Sequence, residues 1–301
     1  RLSYYASGQV AGQGKERGLF VCSFIGNHLF LLPEIEVVDY TLLRRIFYFI
    51  DSKGRLFSYS FERNEFTQFD PDLPPVSCLS ALPPDILITG HHDGSVRLWE
   101  TNQKKVKIFN LSESSITVSF IDYFRRLLVG DAKGTLFMID GSDDFRCFKQ
   151  GTEHTFLVAG AYGPGRMLLL SRSNKYTQNS TPCYAFSLVK LSREKSLLYF
   201  LPESMEPRRF SAIRDGRVLV SGQLPEESKS DNRPGIFLLD FQGKRLSIQG
   251  IFGHERESYD VIAMGPKILT CGEDRDGYHL KIWGAKEYAR IEAQKLLIQP
   301  D

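Results

Sequence analysis

Gly54, Gly94 and Gly134 recur at an interval of 40 residues, each at the same place in the same frame. An apolar run, a four-residue polar turn ending in the glycine, and a second apolar run follow one another in Phe47–Tyr59 (FYFIDSKGRLFSY), Leu87–Trp99 (LITGHHDGSVRLW) and Leu127–Ile139 (LLVGDAKGTLFMI). Two apolar runs around a short polar turn are the pattern of an antiparallel hairpin. The glycine can take a positive φ without a Cβ clash, and Asp93 can cap open backbone N–H groups in its turn. Three such hairpins in fixed register make an internal repeat. A period of 40–45 residues is that of a four-stranded blade in a radial all-β array.

Seven central hairpins can be traced in this way, beginning near residues 2, 47, 87, 127, 167, 217 and 267. The later ones are interrupted by the polar insertions Lys175–Thr181 and Gln223–Pro234, as expected for insertions confined to loops. No helical run of ten or more residues carries an apolar stripe, and the tail reads as two strands, Tyr288–Ile291 and Lys295–Ile298. In this register Lys295–Ile298 is an innermost strand, and Leu2–Ser7 is a second strand lacking one. The expectation is therefore a single all-β domain over residues 1–301, a seven-bladed β-propeller of four-stranded antiparallel blades. Pairing of the N- and C-terminal segments would close it and remove exposed sheet edges. Because the sequence starts at Arg1, this domain is expected to be one part of a larger chain.

Composition narrows the function classes. A net charge of +2 gives little support to a general polyanion binder, and no run of 18 apolar residues supports a membrane span. The five cysteines are scattered without a CxxC pair, which fits reduced thiols in the cytoplasm or nucleus.

The repeats resemble the WD40 family, through Leu87–Trp99 and through Ile268–Trp283 (ILTCGEDRDGYHLKIW). That resemblance implies a propeller in which a Trp, a Ser or Thr, a turn Asp and an upstream His form a buried hydrogen-bonded network. Thr89, Asp93 and Trp99 match three of these positions. His254, Thr270 and Trp283 match in the last repeat, where Asp274 or Asp276 would supply the acid. Tyr59 and Ile139 replace the tryptophan, and Lys53 and Lys133 replace the turn aspartate.

No catalytic residue, cofactor or metal is expected. His91, His92 and Asp93 diverge around a tight turn, and Asp274–Gly277 reads as a widened turn, lacking the ligand series of a calcium loop. Nucleophile-elbow, phosphate-loop and HExxH motifs do not occur. Tyr123–Leu127 (YFRRL) is similar to the Phe-Arg-Arg-Gly motif of phosphoinositide-binding propellers, but Leu127 replaces the glycine. Phosphoinositide and nucleic-acid binding are thus disfavoured.

Blade topology puts the loops between second and third strands on the same face as the connections between blades. Gly8–Arg17, Lys175–Thr181 and Gln223–Pro234 would enlarge that face. His154, Arg208, Arg209 and Tyr259 fall near the starts of innermost strands there and are the candidate partner contacts. Arginine pairs with acidic or phosphorylated groups, and tyrosine offers a rigid contact. The expected function is a noncatalytic scaffold or adaptor docking proteins or peptides. The alternatives are an enzymatic propeller, or one binding phosphoinositide or nucleic acid.

Overall fold

In a computed structural model, the structure describes residues 2–4, 9–13, 19–23, 29–32, 36–60, 62–63, 65–69, 71–121, 125–139, 146–149, 154–163, 166–176, 182–190, 195–202, 205–213, 216–223, 235–242, 245–251, 254, 257–264 and 267–284. The first antiparallel sheet holds β1 (Leu2–Tyr4), β2 (Gln9–Gln13), β3 (Leu19–Ser23) and β4 (Leu29–Leu32). The second holds β5 (Val37–Leu43), β6 (Ile46–Asp51), β7 (Leu56–Ser60) and β8 (Glu65–Gln68). Then come β9 (Val76–Leu82), β10 (Ile86–His91), β11 (Ser95–Glu100) and β12 (Lys105–Asn110), followed by β13 (Ile116–Ile121), β14 (Leu127–Asp131), β15 (Leu136–Ile139) and β16 (Arg146–Lys149). The fifth sheet contains β17 (His154–Gly163), β18 (Arg166–Tyr176), β19 (Pro182–Lys190) and β20 (Lys195–Phe200). The sixth contains β21 (Glu206–Ala212), β22 (Arg217–Gln223), β23 (Ile236–Gln242) and β24 (Arg245–Ile251). Three strands complete the series: β25 (Glu257–Met264), β26 (Lys267–Asp274) and β27 (Gly277–Trp283).

The expected seven four-stranded blades with terminal closure are corrected here. Among the described residues, six sheets have four strands and β25–β27 has three, and none of these sheets is closed by hydrogen bonding. Leu2–Tyr4 is the first strand of its own sheet, and among the described residues its pairing partner is β2. The reason lies in Gly8–Arg17, read as a connection: it contains β2, so the first sheet draws all four strands from its own stretch of chain. Lys295–Ile298 and Tyr288–Ile291 lie outside the described residues.

The chain forms two compact units, one of residues 1–34 with 199–301 and one of residues 35–198. In the second unit each sheet packs its face on the next. Leu43, Tyr48, Ile50 and Leu56 meet Val76, Leu79 and Leu87, with Trp99 packed alongside. Cys78, Ile88 and Val96 meet Ile116, Leu127 and Val129. Val118, Phe120, Leu128, Leu136 and Met138 meet Phe156, Met167, Leu169 and Val189. In the first unit Leu219, Ile236 and Leu238 meet Val261 and Ile268. Each fully buried side chain of this size contributes roughly 1.5–3 kcal/mol by leaving water. The core is thus a series of sheet-to-sheet seams. Outer strands are wetter: β8 is exposed throughout, and β12 carries Lys105 and Lys107, which discourage pairing at an open edge.

The turn glycines behave as the repeat predicts. Gly54, Gly94 and Gly134 have φ of 75°, 82° and 77°, and each donates its N–H to the carbonyl three residues earlier. At Gly94 the next connection presses close, so a Cβ would fall 1.9 Å from the Ser112 carbonyl oxygen. Gly163 also has a positive φ, 149°, but a Cβ there meets nothing within 4 Å. Gly94→Ala is therefore expected to destabilise by at least about 2 kcal/mol, and Gly163→Ala by only about 1 kcal/mol of backbone strain. Urea unfolding midpoints check the order; equal losses would show that the Ser112 approach is not a real constraint.

Candidate functional site

The residue ending the second strand, three before the turn glycine, is buried at Asp51, His91, Asp131 and Asp274. A polar group there must find its partners inside the protein. Asp51 Oδ1 accepts the N–H groups of Lys53 and Arg55, and its Oδ2 pairs with the Arg55 guanidinium. Asp131 accepts from Thr135 N–H and the Ser112 hydroxyl.

His91 and Asp274 sit in networks built on a Thr–Trp pair. In the first, Trp99 Nε1 donates to Thr89 Oγ1 at 3.0 Å, and Thr89 Oγ1 lies 2.7 Å from His91 Nε2. His91 Nδ1 is 2.8 Å from the Pro74 carbonyl oxygen. A carbonyl only accepts, so Nδ1 carries the proton and Nε2 takes the threonine hydroxyl's hydrogen. In the second, Trp283 Nε1 donates to Thr270 Oγ1 at 3.0 Å, His254 Nε2 is 3.0 Å from that oxygen, and His254 Nδ1 is 3.3 Å from Asp274 Oδ2. The same proton placement satisfies every group with the imidazole neutral. Burial accordingly holds both histidines below their ordinary pKa, against the raising effects of the Pro74 carbonyl and of Asp274.

The structure thus joins Thr89 to Trp99, and His254 and Thr270 to Trp283. Asp93 does other work: its Oδ1 accepts from the Ser95 amide at 2.9 Å and hydroxyl at 2.7 Å. Partial burial pushes its carboxyl up, but these two bonds outweigh it and the pKa lies below the usual carboxylate value. His91 was read from sequence only as a turn residue. Its repeat-equivalence to Asp51, Asp131 and Asp274 was the signal that could have placed it.

Asp274, Asp276 and His279 offer three possible ligand atoms within 4.8 Å of one another. Lys281 Nζ already sits 2.8–2.9 Å from both Asp274 oxygens, and His279 Nε2 is 2.8 Å from Asp276 Oδ1. The group is a charge-compensated turn, poorly suited to a cation.

Of the candidate partner contacts, Arg208 and Tyr259 are brought together: the guanidinium carbon lies 5.0 Å from the ring centroid. Within the first unit they come from successive first strands. Each occupies a β-bulge, Arg208 between Pro207 and Arg209 opposite β22, and Tyr259 between Ser258 and Asp260 opposite β26. A bulge inserts one unpaired residue and re-aims its side chain. Tyr259 also donates its hydroxyl to Glu273 Oε2 at 3.4 Å. Arg209 stays in register opposite Ser221. His154 belongs to the other unit, half-buried at the start of β17 opposite Ser173. The bulge recurs at Val38, Ser77, Thr117 and Leu157, a device that alternation of apolar residues does not reveal. Of the loops expected to enlarge this face, residues 8, 14–17, 177–181 and 224–234 lie outside the described residues.

No family model matches the chain, and no curated protein does. Solved structures match at the level of fold. A chain of the mitotic checkpoint complex aligns with a TM-score of 0.67 at 12% identity, over 94% of this chain and 86% of that one. The structure of U3-55K aligns with 0.64 at 12% identity, over 87% and 84%, and the WD40 β-propeller domain of Doa1 with 0.63 at 12%, over 93% and 90%. The fold is a WD40-type β-propeller.

Thr270→Val leaves Trp283 Nε1 and His254 Nε2 without their shared partner, and is expected to cost about 2–4 kcal/mol in chemical unfolding. A smaller loss than Ser211→Ala at the first-strand seam, where that hydroxyl accepts from the Ala263 amide, would discount the network. The lowered pKa of the two histidines sets a pH dependence. The unfolded state takes up protons first, so their contribution is whole above about 6.5 and is lost as pH falls through the folded values. Unfolding midpoints should drop on acidification below pH of about 6.5, and His254→Gln should flatten that slope. An unchanged slope would contradict the neutral assignment.

Proposed function

We propose that the chain is a noncatalytic docking scaffold, holding partner proteins or peptides against loop and strand-end surfaces of the propeller. The observation that carries this reading is the Arg208–Tyr259 pair, set at two bulges of adjacent, well-buried sheets. Stacking holds the guanidinium over a rigid ring, which lowers the entropy lost when a partner's carboxylate or phosphorylated group binds it. Arg209 on the same strand adds a second cation. The mitotic checkpoint structure is that of a complex, which accords with an assembly role. The chain acts in the cytoplasm or nucleus on this reading; Cys78, Cys147, Cys183 and Cys271 are reduced, and burial pushes the Cys271 thiol up to about 12. Among the described residues, no helix is long and apolar enough to cross a membrane.

Affinity mass spectrometry on the full chain tests the assignment. Charge reversal, Arg208→Glu with Arg209→Glu, should remove at least one reproducible partner, and Tyr259→Ala should weaken the same one by about tenfold, the scale of an anchor worth about 1.4 kcal/mol. A partner set unchanged by either variant would place docking elsewhere.

A further inference from the structure

The hairpin from β5 to β6 turns through Arg44 and Arg45 alone, and both have left-handed backbone, with φ of 51° and 63°. Two-residue turns of this kind favour Asn and Gly, because a long L side chain is strained in both positions. Such strain persists where surrounding contacts hold it, and it concentrates at binding sites. Arg44 supplies the hold. Its Nε donates to the Pro84 carbonyl at 3.1 Å, one Nη donates to Asn102 Oδ1 at 2.6 Å, and the other pairs with Asp85. The turn is thereby pinned to the sheet β9–β12, and Arg45 extends instead toward Glu62, 2.8 Å away.

Beside this turn lies a depression of about 300 Å³, whose lining includes Arg45, Arg63, Ser58, Ser60 and Thr67. Strand register explains the polar floor. Ser58 faces Thr67 and Ser60 faces Glu65 across β7 and β8, while alternation sends Phe57 and Phe66 to the opposite side, where their rings stack at 5.2 Å. Besides the pinned Arg44, two guanidinium groups and three hydroxyls therefore share one concave surface of a single sheet with the carboxylates of Glu62 and Glu65. The carboxylates now opposite the arginines hold them weakly. Arg45 and Glu62 are 77% and 65% exposed, and Arg63 reaches Glu65 only at 4.0 Å. Exposed pairs of this kind contribute little and give way to a stronger anion.

We propose that this depression binds the phosphorylated side chain of a serine or threonine on a partner protein. A phosphate dianion accepts from two forked guanidinium groups while its remaining oxygens accept from hydroxyls, a demand that these residues meet together. The site is a concavity of about 300 Å³, which a phosphate carried on a side chain can enter, whereas the flat surface of an anionic bilayer cannot follow it in. The site shares no residue with the Arg208–Tyr259 pair, so either can fail alone.

Fluorescence anisotropy on the full chain tests it, with a labelled peptide pool of degenerate flanks around a fixed phosphoserine, the unphosphorylated pool, and phosphatidylcholine vesicles with and without phosphatidylserine. The phosphorylated pool is expected to bind at least about tenfold more tightly. Arg45→Ala with Arg63→Ala should abolish that preference, with circular dichroism unchanged. Glu62→Gln with Glu65→Gln should raise affinity severalfold by removing the competing carboxylates, which decides the matter even if the arginine variant folds poorly. Equal binding of the two pools, a preference that survives loss of both arginines, or no gain from the glutamate variant would overturn the site. So would binding of the phosphatidylserine vesicles, lost with the arginines, in place of the peptide preference.

Discussion

A sheet covered on both faces has no water to offer the polar end of its inner strands, and this constraint organises the structure. The seams made by Leu43 to Leu87, Cys78 to Val129 and Val118 to Val189 bury the second strands of consecutive sheets. In four of the sheets, at β6, β10, β14 and β26, the second strand ends in a buried polar group whose hydrogen bonds close internally. Asp51 and Asp131 answer with turn amides and a neighbouring side chain; His91 answers through Thr89 and Trp99, and Asp274 through His254 to Thr270 and Trp283. A buried polar group left unpaired costs about 1–3 kcal/mol, comparable with the gain from burying a whole leucine. At these four positions the residue differs, but its polar atoms find partners inside the protein.

First strands add a second belt. Asp39 Oδ2 on β5 accepts the Leu79 amide of β9 at 2.8 Å, the Ser80 and Ser119 hydroxyls meet at 2.9 Å between β9 and β13, and Ser211 accepts the Ala263 amide at 3.0 Å. These bonds fix neighbouring sheets against one another at the strand that carries each bulge. Arg208 and Tyr259 stand on such strands, which gives a surface pair the positional accuracy of a core element.

Much of this was legible in the sequence. The 40-residue interval with its turn glycines identified the repeat, and hairpins beginning near residues 47, 87, 127, 167, 217 and 267 lie where β6, β10, β14, β18, β22 and β26 begin. The first sheet was misread because β2, QVAGQ, has a glycine and two glutamines around only two apolar residues, so it looks like a loop. That one omission shifted Leu2–Tyr4 by a strand and made a terminal closure look necessary. The networks were visible only in part. Residue types announced Thr89, Trp99, Thr270 and Trp283, but His91 adjoins His92 and Asp93, and only its place three before the glycine separates it from them. Bulges left no mark in composition, since the extra residue can be Val38, Ser77 or Tyr259 alike.

Hydrogen–deuterium exchange of the full chain, with and without a partner recovered by affinity capture, tests the central claim most directly: that rigid buried sheets present bulged strand ends as the docking surface. Slow exchange is expected in β22 and β26 in both states, with new protection on partner binding confined to segments around residues 206–209 and 257–260. Protection that spares both segments and falls on the outer strand β12 would refute it.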